Sequence, residues 1–250
     1  MNVLRYAMAA VFIYIFSSLT ISAGEQIILF REDFNDLTNW KPLYFPKIEK
    51  HSSYEIETDN TTSVLKTVSS NSASAIIYMK LFNVYEYPLI KWRWKVENIY
   101  KKGNAKTKEG DDYPLRIYII FKYDPKKAGF FEKVKYKTAK LIYGQYPPHS
   151  SLNYIWSNKK HKESIITSSY TKKSKIIPLQ SGTLKIAIWQ TEGADILEDY
   201  QRAFGIKPPA EASIAVMNDS DNTGESSVSY LDYIEVYRKN GDNNLKPIPR

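Results

Sequence analysis

Strand-length runs of β-branched and aromatic residues recur along almost the whole chain: Ile27 to Phe34, Tyr54 to Thr58, Val64 to Val68, Ala75 to Phe82, Ile90 to Val96, Leu115 to Tyr123, Leu152 to Trp156, Leu184 to Gln190, Ala212 to Met217 and Val228 to Tyr237. Turn-rich gaps separate them. Many short strands with no helix alternating between them predict an all-β, antiparallel sandwich or barrel, because each strand must find its partner nearby without a crossover helix. Within one run, Lys91-Trp92-Arg93-Trp94-Lys95, side chains alternate between faces, so both Trp share one face and the three cations the other. The Trp face is expected inward and the basic stripe outward. An exposed Trp platform for a ligand is the competing reading.

Two segments break the pattern with helical periodicity. From Phe131 to Tyr143, Phe131, Val134, Leu141 and Ile142 recur at roughly helical spacing, Lys residues fill the other faces and Gly144 supplies a stop. A second helix is expected around Asp195 to Phe204, closed by Gly205 and kept from continuing by Pro208-Pro209. Both are short and belong at the periphery of the sheets.

The first residues read as a targeting signal over 1–23: Arg5 gives a positive start, Ala7 to Phe16 an apolar stretch, and Ile21-Ser22-Ala23 a small-residue cleavage site. The reading places the protein in the periplasm or outside the cell, with one domain over 24–238 and a flexible tail over 239–250. No later segment is apolar for long enough to span a bilayer. The chain has no Cys, so neither a disulfide nor a thiol-linked lipid holds it, and its stability must come from the core and from any bound cation. Its formal net charge of +8 favours association with anionic envelope polymers, although a solvated Lys-rich surface explains the same charge. Export makes nucleic acid a poor partner.

Aromatic content is weighted toward Tyr, with 20 Tyr against 10 Phe and 5 Trp. Rings with a polar edge suit a sugar, which offers an apolar face and a rim of hydroxyls. The segment Gly110-Asp111-Asp112-Tyr113-Pro114-Leu115-Arg116-Ile117-Tyr118 runs a carboxylate pair into a strand, with Arg116 and Tyr118 on one face. Such carboxylates hold a cation, orient a hydroxyl-rich ligand or act as acid and base; a solvated turn is the plain alternative. Asn153, Tyr154 and Trp156, with Trp189 and Glu192, are expected to line the same cleft as Asp111, Asp112, Arg116 and Tyr118. The three His show no metal-ligand spacing, and no Gly-x-Ser-x-Gly elbow is present.

Between two strand-like runs lies Asn218-Asp219-Ser220-Asp221-Asn222-Thr223-Gly224. Asp219, Asp221 and Thr223 alternate and Gly224 follows, the opening spacing of a calcium loop. The twelfth position is Tyr230 rather than a bidentate Glu, which excludes an EF-hand. Asn, Asp, Thr and Gly are also the residues of any tight turn, so a plain turn and a structural calcium site stand side by side.

Several of these stretches together resemble an exported bacterial family known only as domain of unknown function three-zero-four-seven. They are Gly110-Asp111-Asp112 with Arg116-Ile117-Tyr118, then Leu152-Asn153-Tyr154-Ile155-Trp156, then Trp189 through Glu192 into Asp199-Tyr200 and Phe204-Gly205, and finally the acidic loop 218–224. Relatives tend to carry a basic residue between Glu192 and Asp199, where this chain reads Gly193-Ala194-Asp195-Ile196-Leu197-Glu198. The family brings no activity with it. A looser resemblance is to jelly-roll carbohydrate-binding and lectin-like domains, carried by Arg31-Glu32-Asp33-Phe34-Asn35-Asp36 near the start and Tyr230-Leu231-Asp232-Tyr233-Ile234-Glu235-Val236 near the end. That resemblance implies paired first and last strands, and adds Asp33 and Asp232 to Asp219 and Asp221 as calcium ligands. A likeness of fold assigns no function.

The resulting expectation is a jelly-roll β-sandwich that binds a glycan without cleaving it. Two alternatives accompany it: a polysaccharide hydrolase or lyase using Asp111, Asp112 or Glu192, and a structural envelope protein engaging a partner protein or anionic lipid through its Lys-rich helix.

Overall fold

The computed structural model describes residues 25–46, 48–126, 129–130, 133–134, 136–137 and 146–240. The expected signal segment 1–23, much of the expected helix 131–143 and the tail beyond residue 240 lie outside the described residues.

The chain forms an antiparallel β-sandwich of jelly-roll type. The smaller sheet holds β1 (Gln26–Glu32), β3 (Ser53–Asp59), β4 (Thr62–Ser70), β7 (Leu89–Val96), β12 (Gln190–Asp195) and β14 (Ser226–Lys239). Its order is β12-β7-β14-β4-β3, with β1 also against β14. First and last strands therefore lie side by side, as the jelly-roll likeness implied. The larger sheet contains β2 (Trp40–Leu43), β5 (Ala73–Tyr78), β6 (Phe82–Asn83), β8 (Arg116–Phe121), β9 (Ser150–Ser157), β10 (Ile166–Thr167), β11 (Ser174–Ser181) and β13 (Glu211–Asp219). It runs β10-β11-β9-β8-β13-β5-β2, with β6 beside β13. Neighbouring strands are antiparallel except β9 and β11, which run parallel.

Strand alternation decides what each sheet buries. On β7, Ile90, Trp92, Trp94 and Val96 are fully buried, so the Trp pair is core and Lys91, Arg93 and Lys95 face outward. Facing them across the sandwich, Tyr154 and Trp156 of β9 pack at ring-centroid distances of 5.3 Å from Trp92 and 6.0 Å from Trp94. Burying one such large apolar side chain contributes roughly 1.5–3 kcal/mol, and the aromatic block thereby clamps the sheets together. On β14 the register with β7 shifts between Leu231 and Tyr233. This bulge at Asp232 resets the alternation, so Leu231, Ile234 and Val236 all reach the core.

One expected strand is not one. From Leu184 to Trp189 the chain makes turns, with Leu184 93% exposed. Ala187 takes a positive φ of 59°, and the Ile186 and Ile188 amides bond three residues back. Strand structure starts only at Gln190. The second expected helix does form, as α1 (Ile196–Phe204): the Asp195 side chain accepts from the Leu197 and Glu198 amides, and Gly205, at φ 73°, closes it. Ile196 and Tyr200 bury its inner face.

Candidate functional site: an acidic and aromatic cleft

The outward-facing residues of the larger sheet build the site. Inward on β8 go Ile117, Ile119 and Phe121, which leaves Arg116 and Tyr118 on the outer face; β9 likewise turns Asn153 outward between Leu152 and Tyr154. Because Tyr118 pairs with Asn153 across the two strands, sheet geometry alone holds Arg116, Tyr118 and Asn153 close together. They open into a cleft of about 450 Å³ that also takes in Asp111, Asp219 and Asp221.

Arg116 sits at the floor, 5% exposed. Its guanidinium pairs with Asp219, lies 3.9 Å from Asp111 Oδ1 and stacks at 4.8 Å and 5.5 Å from the centroids of Tyr113 and Tyr118. Burial opposes the Arg116 charge, yet Tyr118, Asp111 and Tyr113 around it push its pKa up overall. Burial raises the pKa of Asp111, and the Arg116 charge offsets only part of that rise. Asp221 is also raised, by burial first and then by Asp112.

Asp112 serves the loop rather than the cleft. Fully buried, it accepts from the Asn222 side-chain amide at 2.9 Å and the Thr223 backbone amide at 2.6 Å. The acidic loop is thus stitched to the segment before β8, and Gly224, at φ 71°, completes its turn. The carboxylates of Asp112, Asp219 and Asp221 lie within 4.8 Å of one another, the spacing one cation requires. Two of the three already hold partners: loop amides at Asp112, and Arg116 and the Tyr113 amide at Asp219.

Among the residues expected in the cleft, Asp111, Arg116, Tyr118 and Asn153 are brought together there. Tyr154 and Trp156 point the other way, into the core. Trp189 lies on the opposite sheet, its indole donating to Asp59 and stacking under Arg93, and Glu192 accepts from Gln180 at 2.7 Å. The expected calcium ligands also separate. Asp33 pairs with Arg31 and Asp232 with Arg93, whereas Asp219 and Asp221 group with Asp112.

Sequence reading missed Tyr170, which lines the cleft and donates to Asn222 Oδ1 at 2.8 Å. Its one signal was an aromatic residue inside the turn-rich stretch Ser168-Ser169-Tyr170-Thr171. Unmet bonding capacity is also visible at the site. Asn153 Oδ1 and Arg116 Nε have no hydrogen-bond partner among the described residues, although both residues are buried.

Fold and site define a two-sheet sandwich carrying an acidic, aromatic cleft on one outer face. The chain belongs to the family described as protein of unknown function (DUF3047), whose model matches residues 38–235. No curated protein matches it at a significant level. Among solved structures, it is similar to the family 30 carbohydrate-binding module of a cellulosomal cellulase of Clostridium thermocellum, at 10% identity and TM-score 0.37, over 88% of this chain and 95% of that one. It is also similar to endoglucanase 3 of Trichoderma harzianum, at 7% identity and TM-score 0.40, over 88% and 99% of the two chains. A third is winged bean acidic lectin complexed with methyl-α-D-galactose, at 7% identity and TM-score 0.34, over 80% and 100%. These likenesses concern the fold alone.

Proposed function

We propose that this chain is an exported glycan-binding module whose ligand lies in the cleft on the outer face of the larger sheet. The observation that carries the reading is Asn153: a buried amide oxygen with no partner among the described residues, on a residue that lines one cleft with Arg116, whose Nε is likewise unpartnered there, and with the Tyr118 and Tyr170 rings. A pyranose offers an apolar face for such rings and hydroxyls for such polar atoms. Unsatisfied buried polar groups cost about 1–3 kcal/mol each, so a ligand that completes them binds selectively. The cleft volume lies within the roughly 300–1,000 Å³ usual for ligand sites. It adjoins a second recess of about 930 Å³, sharing Phe45 and Pro46 and adding Tyr44, Leu81 and Tyr146, which supports a polymer over a single sugar. The export part of the reading rests on the targeting signal expected over residues 1–23. No helix among the described residues is long and apolar enough to cross a membrane.

One observation favours cleavage instead. Asp111 is a cleft carboxylate whose pKa is raised by burial, the property of a general acid. Native mass spectrometry of the purified mature chain with a panel of bacterial and plant oligosaccharides separates the readings. Complexes of intact oligosaccharide support the binding module; shortened products transfer the function to hydrolysis; no complex across the panel refutes both.

A further inference from the structure

Resting on the glycan reading above, we propose that the sugar this cleft selects carries a free amine, so that the ligand is a glycan with unacetylated amino-sugar units. The argument is a count of charge and of hydrogen-bond donors. Asp111, Asp219 and Asp221 share the cleft with a single guanidinium, Arg116, Asp112 is grouped with Asp219 and Asp221 without lining the cleft, and all but Asp221 are buried. Arg116 is committed to Asp219, and Asp112 to neutral loop amides. Asp221 has no ion pair among the described residues, and Asp111 has only Arg116 at 3.9 Å. Buried carboxylates without a matching cation are costly, so the cleft lacks positive charge.

It also holds an acceptor with no donor among the described residues. The Asn153 side-chain nitrogen donates to Ser174 Oγ at 2.6 Å and to the Lys175 carbonyl at 3.1 Å. Those two bonds fix the amide's orientation and leave its oxygen as an acceptor. A sugar hydroxyl brings one donor and no charge, whereas an ammonium brings three donors and a positive charge. The overall charge of +8 has the opposite sign to the cleft, so a polyanion drawn to the surface is repelled at the site. The same contrast means that general electrostatics cannot attract a polycation to this protein.

The test compares three oligosaccharides of equal length by calorimetry: chitosan oligosaccharide with free amines, the matching acetylated chitin oligosaccharide, and a cello-oligosaccharide with hydroxyls. The expected result is that the amine form binds tighter by about tenfold or more, and that Asp221→Asn and Asn153→Ala each shrink that preference while circular dichroism and melting show a folded chain. Equal binding of all three, or a preference for a neutral form, overturns the amine inference and leaves the glycan reading standing. Binding by none of them overturns the inference too, and the wider panel described above then decides the glycan reading separately. Calcium is titrated in parallel. A calcium signal lost in Asp221→Asn, with no amine preference in chelator-treated protein, overturns the inference in favour of a metal ion.

Discussion

The Asp112 carboxylate accepts a 2.6 Å hydrogen bond from the Thr223 amide, so the loop that ends one strand of the cleft is anchored to the segment that begins another. Asp112 Oδ1 also accepts from the Asn222 side chain at 2.9 Å. A buried charge is tolerable here because several donors converge on it. The loop in turn fixes Asp219 and Asp221, which makes Asp112 a positioning residue for the cleft without itself lining it.

Replacing Asp112 should therefore act through stability. Asp112→Ala strands the Thr223 amide and the Asn222 side chain in a buried position, at an expected cost of about 1–3 kcal/mol. Asp112→Asn retains one carbonyl acceptor and should lose less. Urea unfolding of both variants checks the order; an Asn variant as unstable as the Ala variant would show that charge, rather than the acceptor, holds the loop.

Arg116 and Asp219 should prove strongly coupled. Arg116→Met leaves Asp219 and Asp111 buried without their cation, and breaking such a pair from one side costs about 3–5 kcal/mol. Asp219→Asn removes one of those charges while keeping an acceptor for the Tyr113 amide, which donates at 3.3 Å. The double variant should be more stable than the sum of the singles by about 0.5–3 kcal/mol. Strict additivity in a double-mutant cycle would mean that the two side chains do not act as a pair.

How much of this was legible depended on whether a residue's neighbours lie along the strand or across the fold. Alternation placed Trp92 and Trp94 inward and Arg116 with Tyr118 on one face, because period-two geometry is local. The same rule, applied to Asn153, Tyr154 and Trp156, already separates Asn153 from the other two; grouping all three by chemical type set that rule aside. Glu192 falls on the opposite sheet because β12 joins β7, a pairing that no local pattern encodes, and Trp189, the residue just before β12, packs against Arg93 of that sheet. The turn over 184–189 resembled a strand because its Leu, Ile and Trp satisfied composition, and the positive φ at Ala187 left no mark in the residue type. Asp33 and Asp232 are both carboxylates near paired terminal strands, yet Arg31 and Arg93 answer their charge. The Arg93 partner comes from a neighbouring strand and is invisible until register is known, whereas Arg31 lies only two residues from Asp33 along the chain.

Asp111 should trade stability for function. Its folded-state pKa is raised by burial, so the folded chain holds the proton more tightly than the unfolded chain does. That contribution to stability is fully present below the ordinary carboxylate pKa of about 4 and is lost as pH rises through the folded-state value. Asp111→Asn, which cannot ionise, should therefore melt higher than the parent at neutral pH, with the gap closing as pH falls toward that ordinary value. A gap that stays constant with pH would show that the carboxyl is not strained in the fold. The same substitution should weaken ligand binding, since it removes a cleft carboxylate whose one ion pair, to Arg116, is long at 3.9 Å.

Asn153 and Tyr154 are chain neighbours on β9 that face opposite sides of the larger sheet, which makes them a direct test of where the ligand lies. The Tyr154 hydroxyl donates to Asp199 of α1 at 2.9 Å, and Tyr154→Phe should cost about 0.5–1.5 kcal/mol of stability with glycan affinity unchanged. Asn153→Ala gives up its bonds to Ser174 and Lys175 and should cost a similar amount, but it also removes the unpartnered acceptor of a cleft-lining residue, so affinity should fall by about tenfold or more. Matched loss of stability with divergent loss of binding, read by melting and calorimetry on the same samples, places the glycan on the outer face. If Tyr154→Phe weakens binding as much as Asn153→Ala does, the two residues act only through the fold, and the cleft is not the binding site.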